Sequence, residues 1–149
     1  MNDRIEKTIE LKAPVERVWR ALTDHREFGQ WFQVILDSPF VVGEVTRGTV
    51  TYPGYTHLHW QAEVESIEPQ TQFSFTWYPY EDEAEANQQR ELATLVEFLL
   101  APTAAGTRLH ITESGFSKQP DEIRAMDAFR RNTDGWNKQA QNIAGYVES

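Results

Sequence analysis

The segment THLHWQAEVESI, residues 56–67, alternates strictly: Leu58, Trp60, Ala62 and Val64 fall on one side, and His57, His59, Gln61, Glu63 and Glu65 on the other. A period of two is the signature of a strand with one dry and one wet face. Such strands belong to antiparallel sheets, and the dry face needs something to cover it. Moving toward the C-terminus, Glu68-Pro69-Gln70-Thr71 is a turn, and FSFTWY (73–78) repeats the alternation with Phe73, Phe75 and Trp77. TLVEFLL (94–100) and TRLHITES (107–114) make the next pair, joined by APTAAG. Moving toward the N-terminus, FVVGEVTRGTVTY (40–52) is rich in β-branched residues and ends at the Pro53-Gly54 turn, and RIEKTIELKA (4–13) reads as a first strand.

Two stretches break the β period early. In PVERVWRALTD (14–24), Val15, Val18, Trp19 and Leu22 lie at helical spacing and Pro14 suits a first helical turn. EFGQWFQV (27–34) is a second short helix or turn, with Phe28, Trp31 and Phe32 set against the first. From about Asp121 the helical period continues to the end, with Phe129, Trp136, Ala140, Ile143 and Val147 as its stripe. These elements predict a single α+β domain over residues 1–149. A curved antiparallel sheet of about six strands wraps a long C-terminal helix, and two short helices follow the first strand. That helix carries the apolar stripe able to cover the sheet, and the angle between the two layers favours a cavity.

Composition narrows the function. Fourteen basic against twenty-three acidic residues leave a net charge of −9, which disfavours nucleic acid and anionic membranes. With no cysteine, disulfides, thiolate nucleophiles, iron–sulfur clusters and Cys-based zinc sites are excluded. The N-terminal residues have no apolar run of the signal-peptide kind, and no segment is long and apolar enough for a membrane span, so the expected location is the cytoplasm. Aromatic residues make up 12% of the chain, enough to build a core or to line a pocket.

One carboxylate is out of place. In LHITESGF (109–116), the alternation puts Glu113 on the same face as Leu109 and Ile111. Two readings stand: the strand ends there and Glu113 reaches water, or the interior is a pocket and Glu113 offers a proton or hydrogen bond to what it holds. Trp60, Phe75, Trp77, Phe98, Ile111, Phe129 and Trp136 are the residues placed to line that pocket, or to fill a plain core. His57, His59 and Glu63 have a spacing that could supply metal ligands, but they lie on the wet face, so no metal and no cofactor is expected. Ser114 has neither a nucleophile elbow around it nor a histidine partner, so it reads as a turn residue. EDEAEANQQRE (81–91) reads as a solvated hairpin loop, with a lid over the cavity mouth as the alternative.

The stretches APVERVWRALTDHREFGQWF (13–32), VESIEPQTQFSFTW (64–77), SGF (114–116) and Gly135-Trp136 together resemble the bacterial branch of the START-like (SRPBCC) superfamily. More closely, they resemble its activator of heat-shock-protein-90 ATPase homologues, from about Ile5 to Tyr146. The resemblance implies the helix-grip fold, with a hydrophobic cavity between sheet and C-terminal helix, and a polar residue such as His often stands near the position of Glu113. It also implies a ligand-binding protein for small hydrophobic or aromatic molecules such as lipids or polyketides. The alternatives are a cyclase or hydrolase using Glu113 as general acid, and a stress-response module that binds a chaperone.

Overall fold

The computed structural model describes residues 3–79 and 90–149. Seven strands form one antiparallel sheet: β1 (Arg4–Leu11), β2 (Val34–Leu36), β3 (Val45–Val50), β4 (His59–Glu68), β5 (Gln72–Trp77), β6 (Thr94–Thr103) and β7 (Gly106–Ser114). Their order is β1-β7-β6-β5-β4-β3-β2. Two helices, α1 (Val15–Thr23) and α2 (His25–Phe32), carry the chain from one edge of the sheet to the other, and a long helix, α3 (Glu122–Val147), follows the last strand. This is the helix-grip arrangement that the sequence predicts.

The short helices owe their ends to identifiable residues. Val18, Ala21 and Leu22 of α1 recur at helical spacing and are buried. Asp24 ends α1 and caps α2, accepting the Arg26 and Glu27 N–H groups with one carboxylate oxygen. Gln33 ends α2 in the left-handed region, at φ 69°, which turns the chain sharply into β2. That strand raises the count from six to seven. Its three residues are all apolar, too short a run to show alternation.

The strand of residues 56–67 is confirmed from His59 onward, with Trp60, Ala62 and Val64 buried. Leu58 departs from the expected inward face: it precedes the first ladder pair of β4 and is exposed. The region read as one strand over 40–52 is an irregular segment followed by β3. A register shift between Val64 and Ser66 of β4 interrupts its ladder with β5, an irregularity of the kind that bends a strand. Gly48 lets β2 approach β3 closely, since a Cβ there would stand 2.3 Å from the Ile35 carbonyl oxygen.

Asp121 caps α3 by accepting the Ile123 and Arg124 N–H groups. The helix buries Ala125, Ala128, Trp136, Ala140, Ile143 and Val147. Beneath it, Phe28, Phe73, Phe75 and Phe98 are wholly buried, and each contributes about 1.5–3 kcal/mol relative to full exposure. Gly115, at φ 105°, turns the chain out of β7 through a 3-10 turn at Phe116–Lys118 toward α3. Asp3 fastens that corner by accepting the backbone N–H groups of Gly115 and Ser117.

Candidate functional site

Glu113 lies on the inner face of β7 and is wholly buried, so the strand-end reading of its side chain does not hold. Its carboxylate meets four neutral donors. Oε1 accepts the Trp136 indole N–H at 2.9 Å and the Asn132 amide at 3.0 Å. Oε2 accepts the Trp77 indole N–H at 2.8 Å, the Thr94 hydroxyl at 2.5 Å and the same Asn132 amide at 3.1 Å. A carboxylate offers about four lone-pair sites, and these contacts fill them. Burying such a group without partners would cost several kcal/mol. Here two indoles, a hydroxyl and an amide take over the role of water.

The sheet order explains how the donors converge. Thr94 of β6 pairs with Trp77 of β5, while Val96 pairs with Glu113 of β7. Thr94 and Val96 share the inner face, so Thr94 sits diagonally between the tryptophan and the carboxylate. On α3, Ala128, Asn132, Trp136 and Ala140 recur every fourth residue, which turns Asn132 and Trp136 toward the same point. Glu113 therefore acts as a bracket. It holds two indoles by their edges, and those rings stack with centroids 5.7 Å apart and planes at 29°.

The aromatic cluster extends from that stack. Trp60 lies 6.1 Å from Trp77 and 5.8 Å from Phe75, and Phe98 lies 5.9 Å from Trp136. Ile111, buried on β7, stands opposite Phe98 in the ladder. Seven of the eight predicted residues thus surround one interior region. Phe129 is set apart: half-buried, it packs on Phe116 at 5.3 Å and borders a hollow of about 330 Å³ with Met126, Arg130, Thr133 and Asp134. A second groove, about 610 Å³, runs between β1 and α3 past Lys7, Ile9 and Ala140.

Three residues of the region are absent from the predicted lining set. Asn132 and Thr94 complete the carboxylate's shell. Phe32, at the end of α2, puts its ring between three tryptophans, 5.9 Å from Trp60, 6.0 Å from Trp77 and 6.2 Å from Trp136. Asn132 had a signal, being a polar residue in register with a helix's apolar stripe.

The indole groups differ in one respect. Trp31 donates to the Ala21 carbonyl at 2.8 Å, and Trp77 and Trp136 donate to Glu113. Trp60, only 8% exposed, has a buried N–H with no acceptor among the described residues. A buried donor left alone costs about 1–3 kcal/mol and calls for an explanation.

The other candidates lie elsewhere. His57 and His59 are exposed on the outer side, and among the described residues no group of three or more His, Cys, Asp or Glu could hold a metal ion. His110 faces outward, with its Nδ1 2.6 Å from the Thr8 hydroxyl. The proposed lid, 81–91, lies almost wholly outside the described residues. No described helix is long and apolar enough to cross a membrane.

Comparison with known proteins agrees with this architecture. The family model described as "Activator of Hsp90 ATPase homolog 1-like protein" matches residues 12–148. The crystal structure of protein MLL2253 from Mesorhizobium loti is 25% identical, with a TM-score of 0.76, covering 97% of this chain and 96% of that one. DynU16, a protein of the dynemicin biosynthetic locus, is also 25% identical, with a TM-score of 0.75. The match takes in all of this chain but only 48% of DynU16. A solution structure from Arthrobacter aurescens, at 22% identity and a TM-score of 0.78 over 97% of this chain and 85% of that one, shares the fold. No curated protein sequence matches the chain.

Proposed function

Because the chain belongs to the Activator of Hsp90 ATPase homolog 1-like family, whose members bind small hydrophobic ligands, we propose that it is a carrier for a small apolar or aromatic molecule. The ligand lies between the sheet and α3, against Trp60, Phe75, Trp77, Phe98 and Trp136. Glu113 acts on it through the tryptophans: by fixing both indole edges, the carboxylate sets the angle of the wall a flat ligand stacks against. Ile111, opposite Phe98 in the ladder, backs that wall, and Phe129 borders the outer hollow on α3.

The observation that carries this reading is the bracket itself. An ordinary core has no need to bury a carboxylate in order to align two indoles, since apolar side chains of similar volume fill such a space at lower cost. The likeness to DynU16, a protein of a biosynthetic locus, supports a small molecule over a protein as the ligand.

The test is a titration followed by amide NMR, with flavonoids, polyketide-like aromatics, fatty acids and sterols as separate probes. Saturable shifts at Trp60, Trp77, Glu113 and Trp136 are expected with at least one aromatic class. Shifts confined to the outer surface, or none with any class, would remove the carrier reading and direct attention to protein partners.

A further inference from the structure

We propose that Phe32 holds the place of a ligand's ring, and that the matching ligand is a flat aromatic compound whose carbonyl oxygen accepts the N–H of Trp60. This rests on the interior being the binding site and adds the ligand's chemistry and its way in.

Phe32 is a half-buried ring, whereas Phe28, Phe75 and Phe98 of the same cluster are wholly buried. It meets Trp60, Trp77 and Trp136 at tilts of 67°, 62° and 67°, edge against face, and stacks on Phe28 at 4.9 Å. Such an arrangement is how aromatic rings solvate one another, so what replaces this ring must itself be flat and aromatic. Phe32 is also the last residue of α2. The backbone around it stays held by Gln33 N–H on the Gly29 carbonyl at 2.9 Å and by Gln139 on the Phe32 carbonyl at 3.2 Å. Rotation of one side chain toward solvent therefore vacates the space with no change in the helix.

The unpaired indole of Trp60 then selects the functional group. Indole nitrogen only donates, so its partner must be an acceptor. The surrounding walls are apolar, and the neighbouring Trp77 is bonded to the buried Glu113. An anionic acceptor would lose its hydration there and be repelled by the carboxylate. A neutral carbonyl meets both conditions.

The experiment compares 1-indanone with indane, the same ring frame with and without the carbonyl. Both are titrated into the wild-type chain and Phe32→Ala, with the five indole N–H resonances followed by NMR and Trp60→Phe used to assign one of them. With Phe32→Ala, 1-indanone should bind about tenfold tighter or more, since no ring has to be displaced. Only 1-indanone should move the Trp60 N–H downfield. Phe32→Leu gives the same comparison if the alanine variant does not fold. Binding of 1-indanone that leaves the Trp60 N–H unmoved, or equal affinity for both proteins, overturns this proposal and leaves the carrier reading standing. No saturable binding of either compound to either protein also overturns this proposal, and the carrier reading then stands or falls on the wider panel of flavonoids, polyketide-like aromatics, fatty acids and sterols.

Discussion

Replacing Glu113 by glutamine keeps the shape of the side chain and exchanges one acceptor oxygen for a donating NH₂. The amide has two orientations, and both fail. With NH₂ in place of Oε1 it faces the Trp136 indole N–H; in place of Oε2 it faces that of Trp77. The Thr94 hydroxyl can rotate to accept and the Asn132 amide can flip, but an indole N–H can only donate. One indole is therefore orphaned in either case. A hydrogen bond to a charged acceptor contributes about 1.5–3 kcal/mol and the orphaned donor costs about 1–3 kcal/mol, while the neutral amide is cheaper to bury and offsets part of the sum. The expected loss is about 2–4 kcal/mol. Urea unfolding at neutral pH measures it as a lower midpoint at unchanged slope. In the NMR spectrum, one of the Trp77 and Trp136 indole resonances should move upfield while the other stays. A variant within about 0.5 kcal/mol of wild type, the range of ordinary surface changes, would show that the carboxylate does not support the two indoles.

Other expectations concern the same bracket and the two corners of the fold. Asn132→Asp sets a second carboxylate about 3 Å from the first, and should destabilise by about 3 kcal/mol or more at neutral pH; unfolding measured at lower pH should recover part of that. For Asp3, partial burial pushes its carboxyl up, but the N–H groups of Ser117 and Gly115 together with Lys118 outweigh it, so the folded value lies below the ordinary 3.8. The stability this group supplies is present above that ordinary value and lost as pH falls through the folded one. Asp3→Asn should therefore flatten the acid end of the stability curve, and an unchanged slope there would refute the assignment. Burial, with the hydrogen bond to Glu27 at 2.9 Å, raises the Tyr146 phenol above its ordinary 10.0. Its contribution is intact below pH 10 and lost as pH rises further; Tyr146→Phe should cost about 1 kcal/mol at neutral pH and remove that alkaline loss in denaturant titrations.

Legibility in the sequence followed the length of each pattern. The strands around Trp60, Phe75 and Ile111 each show several turns of a period of two, and α3 shows several of the helical period, so their inner faces could be read directly. Glu113 could be read as inward because it continues the rhythm of Leu109 and Ile111. Trp77 and Trp136 could be placed near it by the same alternation and stripe, but Thr94 and Asn132 could not, because strand order and helix rotation bring them there and no local pattern contains either. Leu58 was misread by extending a true alternation one residue past the ladder. Val34-Ile35-Leu36 gave no signal, since a three-residue apolar run has no period. Phe32 had a clear signal but an incomplete meaning: the sequence places it against α1, and only the folded sheet shows the three tryptophans around it.

The pairing of β1 with β7 joins Arg4 to Ser114 and Leu11 to Thr107, while every other neighbour in the sheet is adjacent in sequence. Hairpins such as β6–β7 form in roughly microseconds, whereas a contact across most of a domain must first offset a much larger loop-closure entropy. The meander should thus assemble ahead of its outermost member, making sheet closure a late, topology-limited step. Until β7 is in place, Ile5, Ile9 and Leu11 form a sticky row without a mate. Glu6, Lys7 and Glu10, interspersed among them, act as gatekeepers that keep the waiting strand from pairing with another chain.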